Sequence, residues 1–190
     1  MASSADDRAR YSGWVRDHQG DCWSLAVYLL RDAQEAEDAV QESYLRLWQR
    51  MDGMTDDHAR PWLLRVVRNE CIDRLRKRKP GEDTDRLLGG IDPEQQVASD
   101  EADAGVLKAI DELNEPYRSL IVMREVLQHS YEDIGETLEL SSSQVKVYLH
   151  RARRTLRDRL QRWSSETIDT RQMTQKEGSN GKSADMKDDD

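Results

Sequence analysis

The chain has 190 residues, 35% of them charged, and a formal net charge of −9. That length holds one large or two small domains. No apolar run approaches the ~20 residues of a membrane span, and the polar start MASSADDRARYSG lacks the apolar core of a signal peptide, so a cytoplasmic protein is expected.

From Tyr11 to Leu30 the apolar residues, among them Trp14, Val15, Trp23, Leu25 and Leu29, predict one helix or two, with Gly20 as the break between them. They are core candidates. Cys22 and Cys71 do not make a disulfide framework. His18 and Cys22 stand four apart, but structural zinc takes four ligands and no others lie near. No metal and no cofactor is expected.

Residues 33–51, AQEAEDAVQESYLRLWQRM, read as a helix with Ala36, Val40, Tyr44, Leu47 and Met51 on its buried stripe. Asp38, Gln41, Glu42 and Leu45 fall opposite. Charged faces on helices are common and need mean only solvation. A leucine set among the acids also suits a docking surface for a basic partner.

Residues 52–60 read as a loop, and Pro61 is placed to open the next helix. That helix, PWLLRVVRNECIDRLRKRK, buries Leu63, Leu64, Val67, Cys71 and Leu75. Arg65, Asn69 and Arg76 share another face. Residues 59–79 carry eight basic and two acidic side chains. Cations at a helix C-terminus also complement its dipole, but this density, with Asn69 among the arginines and Trp62 at the start, fits nucleic-acid contact better.

Residues 80–105 hold eight acids and one base, with Pro and paired Gly. They read as an acidic linker. A helix resumes near Val106, and Asn114 and Pro116 mark another start. Ser130 and Asp133 have the spacing of a capping box, so a short helix begins at Tyr131. Ser141 and Gln144 repeat the signal. On the helix that follows, Val145, Leu149, Ala152 and Leu156 form one stripe. Lys146, Val147, His150, Arg151 and Arg154 fall on the other side, with Ser143 and Gln144 at the start. Residues 142–162 carry seven basic side chains and one acidic. An ordinary bundle helix could be basic too. The short helix, tight turn and doubled caps instead describe a helix-turn-helix whose second helix fits a major groove. The polar segment 164–190 is expected to be disordered.

The expected fold is all-α: two small helical domains, 1–79 and 106–163, joined by an acidic linker, the second carrying the helix-turn-helix. No phosphate loop, metal cluster or nucleophile arrangement appears, so a non-enzyme is expected. Two basic stretches in an acidic chain can act locally, because salt screens charge over ~8 Å.

Four stretches, in order, resemble the extracytoplasmic-function (ECF) group of bacterial RNA polymerase sigma factors over residues 10–162. EAEDAVQE (35–42) looks like the core-binding helix, and ARPWLLRVVRNECIDRLRKRK (59–79) like the promoter-melting and −10 segment. LNEPYRSLIVMRE (113–125) looks like the start of the second domain, and YEDIGETLELSSSQVKVYLHRARRTL (131–156) like the −35 helix-turn-helix.

The resemblance implies promoter DNA and core RNA polymerase as partners, through the beta-prime clamp helices and the beta flap, and an anti-sigma factor as a further one. It implies that Asp38, Gln41, Glu42 and Leu45 bind the clamp. Trp62, Arg65, Arg68, Asn69, Arg76 and Lys77 would serve the −10 element, and the 52–60 loop an unstacked base. Ser143, Gln144, Lys146, Val147, His150, Arg151 and Arg154 would face the −35 element. Two departures stand out. Glu139 occupies a turn position where the family usually has Gly, and Lys146-Val147-Tyr148 replaces its common Lys-Ser-Arg. The alternative reading is a stand-alone helix-turn-helix regulator whose first half senses or dimerises.

Overall fold

The computed structural model describes residues 5–78 and 101–180, with side chains from 105 to 165 in the second span. Among the described residues there are seven α-helices and no strand. The first half packs α1 (Ala5–Leu30), α2 (Ala33–Arg50) and α3 (Asp56–Lys77) into a three-helix unit. The second half holds α4 (Glu101–Asp111), α5 (Tyr117–Ile121), a π-helical turn (Val122–Val126), α6 (Tyr131–Leu138) and α7 (Ser142–Asn180).

Gly20 does not break α1, which runs unbroken to Leu30. A helical glycine costs about 1 kcal/mol. Burying Trp14, Cys22, Leu25, Val27 and Leu29 along one helix outweighs that. Arg31 then turns the chain at φ 56°. Asp32 caps α2, accepting the Glu35 amide at 2.9 Å. On α2, Ala36, Val40, Leu47 and Met51 are buried as the stripe predicts, and Tyr44 is half-buried.

Pro61 does not open α3. The helix begins at Asp56, and Pro61 lies inside it. The amide that proline lacks would have bonded the carbonyl of Asp57, which is exposed and open to water. Asp56 and Asp57 in the first turn complement the dipole, and Trp14 Nε1 donates to Asp56 Oδ1 at 2.8 Å. The expected 52–60 loop therefore ends at Thr55. Arg10 Nη2 holds it by donating to the Met54 carbonyl at 2.6 Å, and Gly53 supplies φ 75°.

The expected linker lies outside the described residues up to 100. Its last residues are already helical, because α4 starts at Glu101 rather than near Val106. The segment after Trp163 is also corrected. The backbone of α7 stays helical through Asn180, since the helix is nucleated upstream and extending it adds one hydrogen bond per residue. Residues 181–190 lie outside the described residues.

The helix-turn-helix is built from local signals. Ser130 Oγ accepts the Asp133 amide at 3.0 Å, and Asp133 Oδ2 accepts the Ser130 amide at 3.1 Å. Ser141 and Gln144 cap α7 the same way, at 3.3 Å and 2.8 Å. Val145, Leu149 and Ala152 are fully buried against α5 and α6. Between the helices the Leu140 amide donates to the Gly135 carbonyl at 2.9 Å. A Cβ on Gly135 would stand 2.8 Å from the Leu140 carbonyl oxygen, so the tight return requires glycine there. Gly135→Ala is expected to lower stability by about 1–3 kcal/mol, as overpacking against backbone does. Urea unfolding checks it, and an unchanged midpoint would mean that the turn has room.

Candidate polymerase and promoter interfaces

Three surfaces hold the residues singled out by the sequence. On α2, Asp38 and Gln41 are exposed, and Leu45 is 58% exposed. Gln41 Nε2 donates to Glu37 at 3.1 Å. Glu42 is half-buried and pairs with Arg46 at 3.3 Å. Sequence reasoning missed Trp48, three residues beyond Leu45 on the same face. It is 38% exposed and meets the Tyr11 ring edge-on at 5.1 Å. Helical spacing from Leu45 was the signal that could have found it.

On α7 the whole −35 set is open. Ser143, Gln144, Lys146, Val147, His150, Arg151 and Arg154 are all exposed, Val147 by 47%. Arg153 is turned away from this set and bonds Glu125 at 2.9 Å. Tyr148, where the departure removes a cation, packs edge-on to Tyr117 at 6.0 Å.

The α3 set is divided. Asn69, Arg76 and Lys77 are exposed. Trp62 is half-buried and packs against the core. Arg65 and Arg68 are committed to the second half of the chain. Arg68 Nε donates to Ser119 Oγ at 2.8 Å, and its Nη2 to Glu115 Oε2 at 2.7 Å. Arg65 donates Nε to the Thr137 carbonyl at 3.0 Å, Nη2 to the Glu136 carbonyl and Nη1 to the Glu139 carboxylate.

Residues outside the expected set complete this junction. Arg60 donates twice to Asp21 Oδ2, at 2.8 and 3.0 Å, and reaches Asp133 Oδ1 at 3.1 Å. His129, buried at 3% exposure, brings Nε2 within 3.4 Å of Asp21. His129 and Arg60 together hold the Asp21 carboxyl down at about 2. Arg118 donates to the Leu29 carbonyl at 2.8 Å and to Asp111 at 2.6 Å, and Arg31 reaches Asp111 from the other side at 3.1 Å. Such pairs are invisible in one dimension, because up to 89 residues separate the partners.

Cys22 and Cys71 are free and buried, and burial pushes both thiols up to about 12. His18 is pushed down, chiefly by desolvation. Among the described residues no group of three or more His, Cys, Asp or Glu could hold a metal, and no helix is long and apolar enough to cross a membrane.

Comparison with known proteins gives these surfaces a family. Residues 14–80 match the Sigma-70 region 2 family and residues 104–156 match Sigma-70, region 4. The chain is 34% identical over 171 residues to the ECF RNA polymerase sigma factor SigL of Mycobacterium tuberculosis, covering 84% of this chain and 92% of that one. It belongs to the ECF sigma factors. The sigma factor SigE of Mycolicibacterium smegmatis is 32% identical over 171 residues, 85% of this chain and 66% of that protein. Among solved structures, the sigma factor RpoE of Bartonella quintana, in complex with the anti-sigma factor NepR, shares the fold at a TM-score of 0.59 and 24% identity. The match covers 80% of this chain and 97% of that one.

An ECF sigma factor binds core RNA polymerase and directs promoter-specific initiation. Membership therefore favours an initiation subunit over the stand-alone regulator. The two matched blocks flank the acidic segment, α1–α3 on one side and α4–α7 on the other.

Arg118, whose side chain is almost fully enclosed, bridges to a backbone carbonyl of the other half. Arg118→Ala is expected to cost about 1–3 kcal/mol, because it strips the Leu29 carbonyl and Asp111 of a buried donor. Chemical denaturation of the full chain measures this, and a change below about 0.5 kcal/mol would show that water replaces the guanidinium.

Proposed function

We propose that this sigma factor divides its labour by helix. Region 2, residues 1–79, docks on the clamp of core polymerase through Asp38, Gln41, Glu42 and Leu45 of α2. It reads and melts the −10 element through Trp62, Arg65, Arg68, Asn69, Arg76 and Lys77 of α3. Region 4, residues 106–163, reads the −35 element through the exposed face of α7, and residues 80–105 connect them. The observation that carries the reading is that α7 face: seven exposed residues, among them the cations Lys146, Arg151 and Arg154, opposite the buried Val145, Leu149 and Ala152. Cations set on one side of a helix that is anchored by the other are what groove binding needs.

The sigma factor supplies recognition and no catalytic group of its own, and it works in the cytoplasm, beside polymerase and chromosome. An anti-sigma factor is a further partner in this reading. The deciding experiment is run-off transcription with purified core polymerase. Promoter-specific RNA that appears only when the chain is added supports the reading, and DNA binding without RNA overturns it.

The α2 surface yields a direct test. Asp38 and Leu45 are exposed, so Asp38→Arg with Leu45→Arg should change stability by no more than about 0.5 kcal/mol, read by thermal unfolding. Co-purification with core polymerase should be lost. Retained binding at full affinity would place the clamp site elsewhere.

The −35 face separates base from phosphate contacts. Val147 carries no charge, and its methyls can only pack, as against a thymine methyl. Val147→Ser should reorder preference among −35 variants by about 1–3 kcal/mol at one position, with little change in salt dependence. Lys146→Ala should weaken all promoters alike and make the salt slope shallower by about one unit. Promoter-library transcription and holoenzyme binding at several salt concentrations read both. An unchanged ranking with Val147→Ser would mean that the helix sits differently in the groove.

A further inference from the structure

We propose that the free chain closes on itself through an arginine–carboxylate seam that occupies the DNA-facing arginines of α3. The inference rests on the reading of α3 as the −10 surface. Arg60, Arg65 and Arg68 lie along one helix, and each guanidinium is engaged by the second half of the chain. Asp133 takes Arg60 at 3.1 Å, Glu139 takes Arg65, and Glu115 takes Arg68 at 2.7 Å. Carboxylate and phosphate present similar paired oxygens to a guanidinium fork. Two of these carboxylates, Glu139 on Arg65 and Glu115 on Arg68, stand where promoter phosphates would bind, and Asp133 fastens the neighbouring Arg60.

Glu139 ties the seam to the helix-turn-helix. It sits in the helix-turn-helix turn at φ 56°, ψ 42°, a left-handed conformation that favours glycine. A glutamate there costs about 1 kcal/mol or so of backbone strain. What that side chain does in return is reach Arg65, while the same guanidinium takes the carbonyls of Glu136 and Thr137 at the C-terminal end of α6. A cation at that end also complements the helix dipole. The turn of one DNA reader is thereby fastened to the other reader.

The seam is built to yield. Glu139 is 72% exposed and Asp133 40%, and pairs so open to solvent are individually weak and screened by salt. Polymerase and a run of phosphates can replace them. Meanwhile the α7 face stays uncovered, so the closed chain masks one promoter surface and not the other.

The test uses the full chain without polymerase and a mixed-sequence 20-nucleotide single strand as probe. Glu115→Gln with Glu139→Gly removes two seam carboxylates. Glutamine keeps the shape of Glu115, and glycine suits the turn, so the fold is retained. Asp6→Asn with Glu37→Gln removes the same net charge away from the seam. Dyes on Gln49→Cys and Arg157→Cys report the distance between the halves, and the buried native cysteines stay unlabelled. The seam variant should bind the strand roughly tenfold tighter than the charge control, as expected for guanidinia returned to phosphates. The dye separation should lengthen. Adding Arg65→Ala and Arg68→Ala to the seam variant should erase the gain. Affinity and distance both equal to the control would overturn the seam. A longer distance with no gain, or a gain that survives loss of both arginines, would instead overturn α3 as the DNA surface.

Discussion

The structure turns on one helix having to satisfy two opposed demands. Along its buried side, α3 gives Leu63, Leu64, Val67 and Cys71 to the core. Along the other it carries arginines that cannot be buried without partners. In the closed chain those partners come from Asp21 of α1, Glu115 just before α5, Ser119 of α5, α6 and the turn after it. The seam therefore sets where the second half rests. Buried side chains from both halves form one continuous cluster, in which Leu29 and Leu30 join Leu113, Leu120 and Met123.

The helix-turn-helix shows how little freedom such a reader has. Gly135 is needed because the chain returns within van der Waals distance of its own backbone. Glu139 takes a glycine-type conformation, and its carboxylate is held from outside the motif by Arg65. Both ends of the turn are thus settled by close packing, and the capping boxes on either side only start and stop the helices. α7 is then anchored through Val145, Leu149 and Ala152, which leaves Val147 and its cationic neighbours outward by helical geometry alone.

Charge distribution connects fold and function. A chain of net charge −9 would repel nucleic acid if its charges were evenly spread. Concentrating cations in α3 and α7, and acids on α2 and around the linker, gives each surface its own sign within a Debye length. The acids that cover α3, Glu115, Asp133 and Glu139, come from the second half instead. In the proposed closed form, the candidate −10 surface is covered by the chain's own carboxylates.

Much of this was legible in the amino-acid order. Helical periodicity marked the stripes of α2, α3 and α7, because a 3.6-residue repeat is a local property. The capping boxes at Ser130 and Ser141 marked the helix-turn-helix for the same reason. The three surfaces, and the exposure of the α7 face, follow from those periods. Local signals failed where a distant group decided the outcome. Asp56 starts α3 ahead of Pro61 partly because Trp14 reaches it, and Gly20 stays helical because the packed face around it outweighs its cost. Arg65 and Arg68 were legible as cations but not as occupied ones. Their partners lie about fifty to seventy-four residues away, and only folding brings them within reach. The sequence by itself determined which residues are cationic, apolar or capping. The tertiary structure decided which of the cations are free, because an ion pair depends on distance in space and not along the chain.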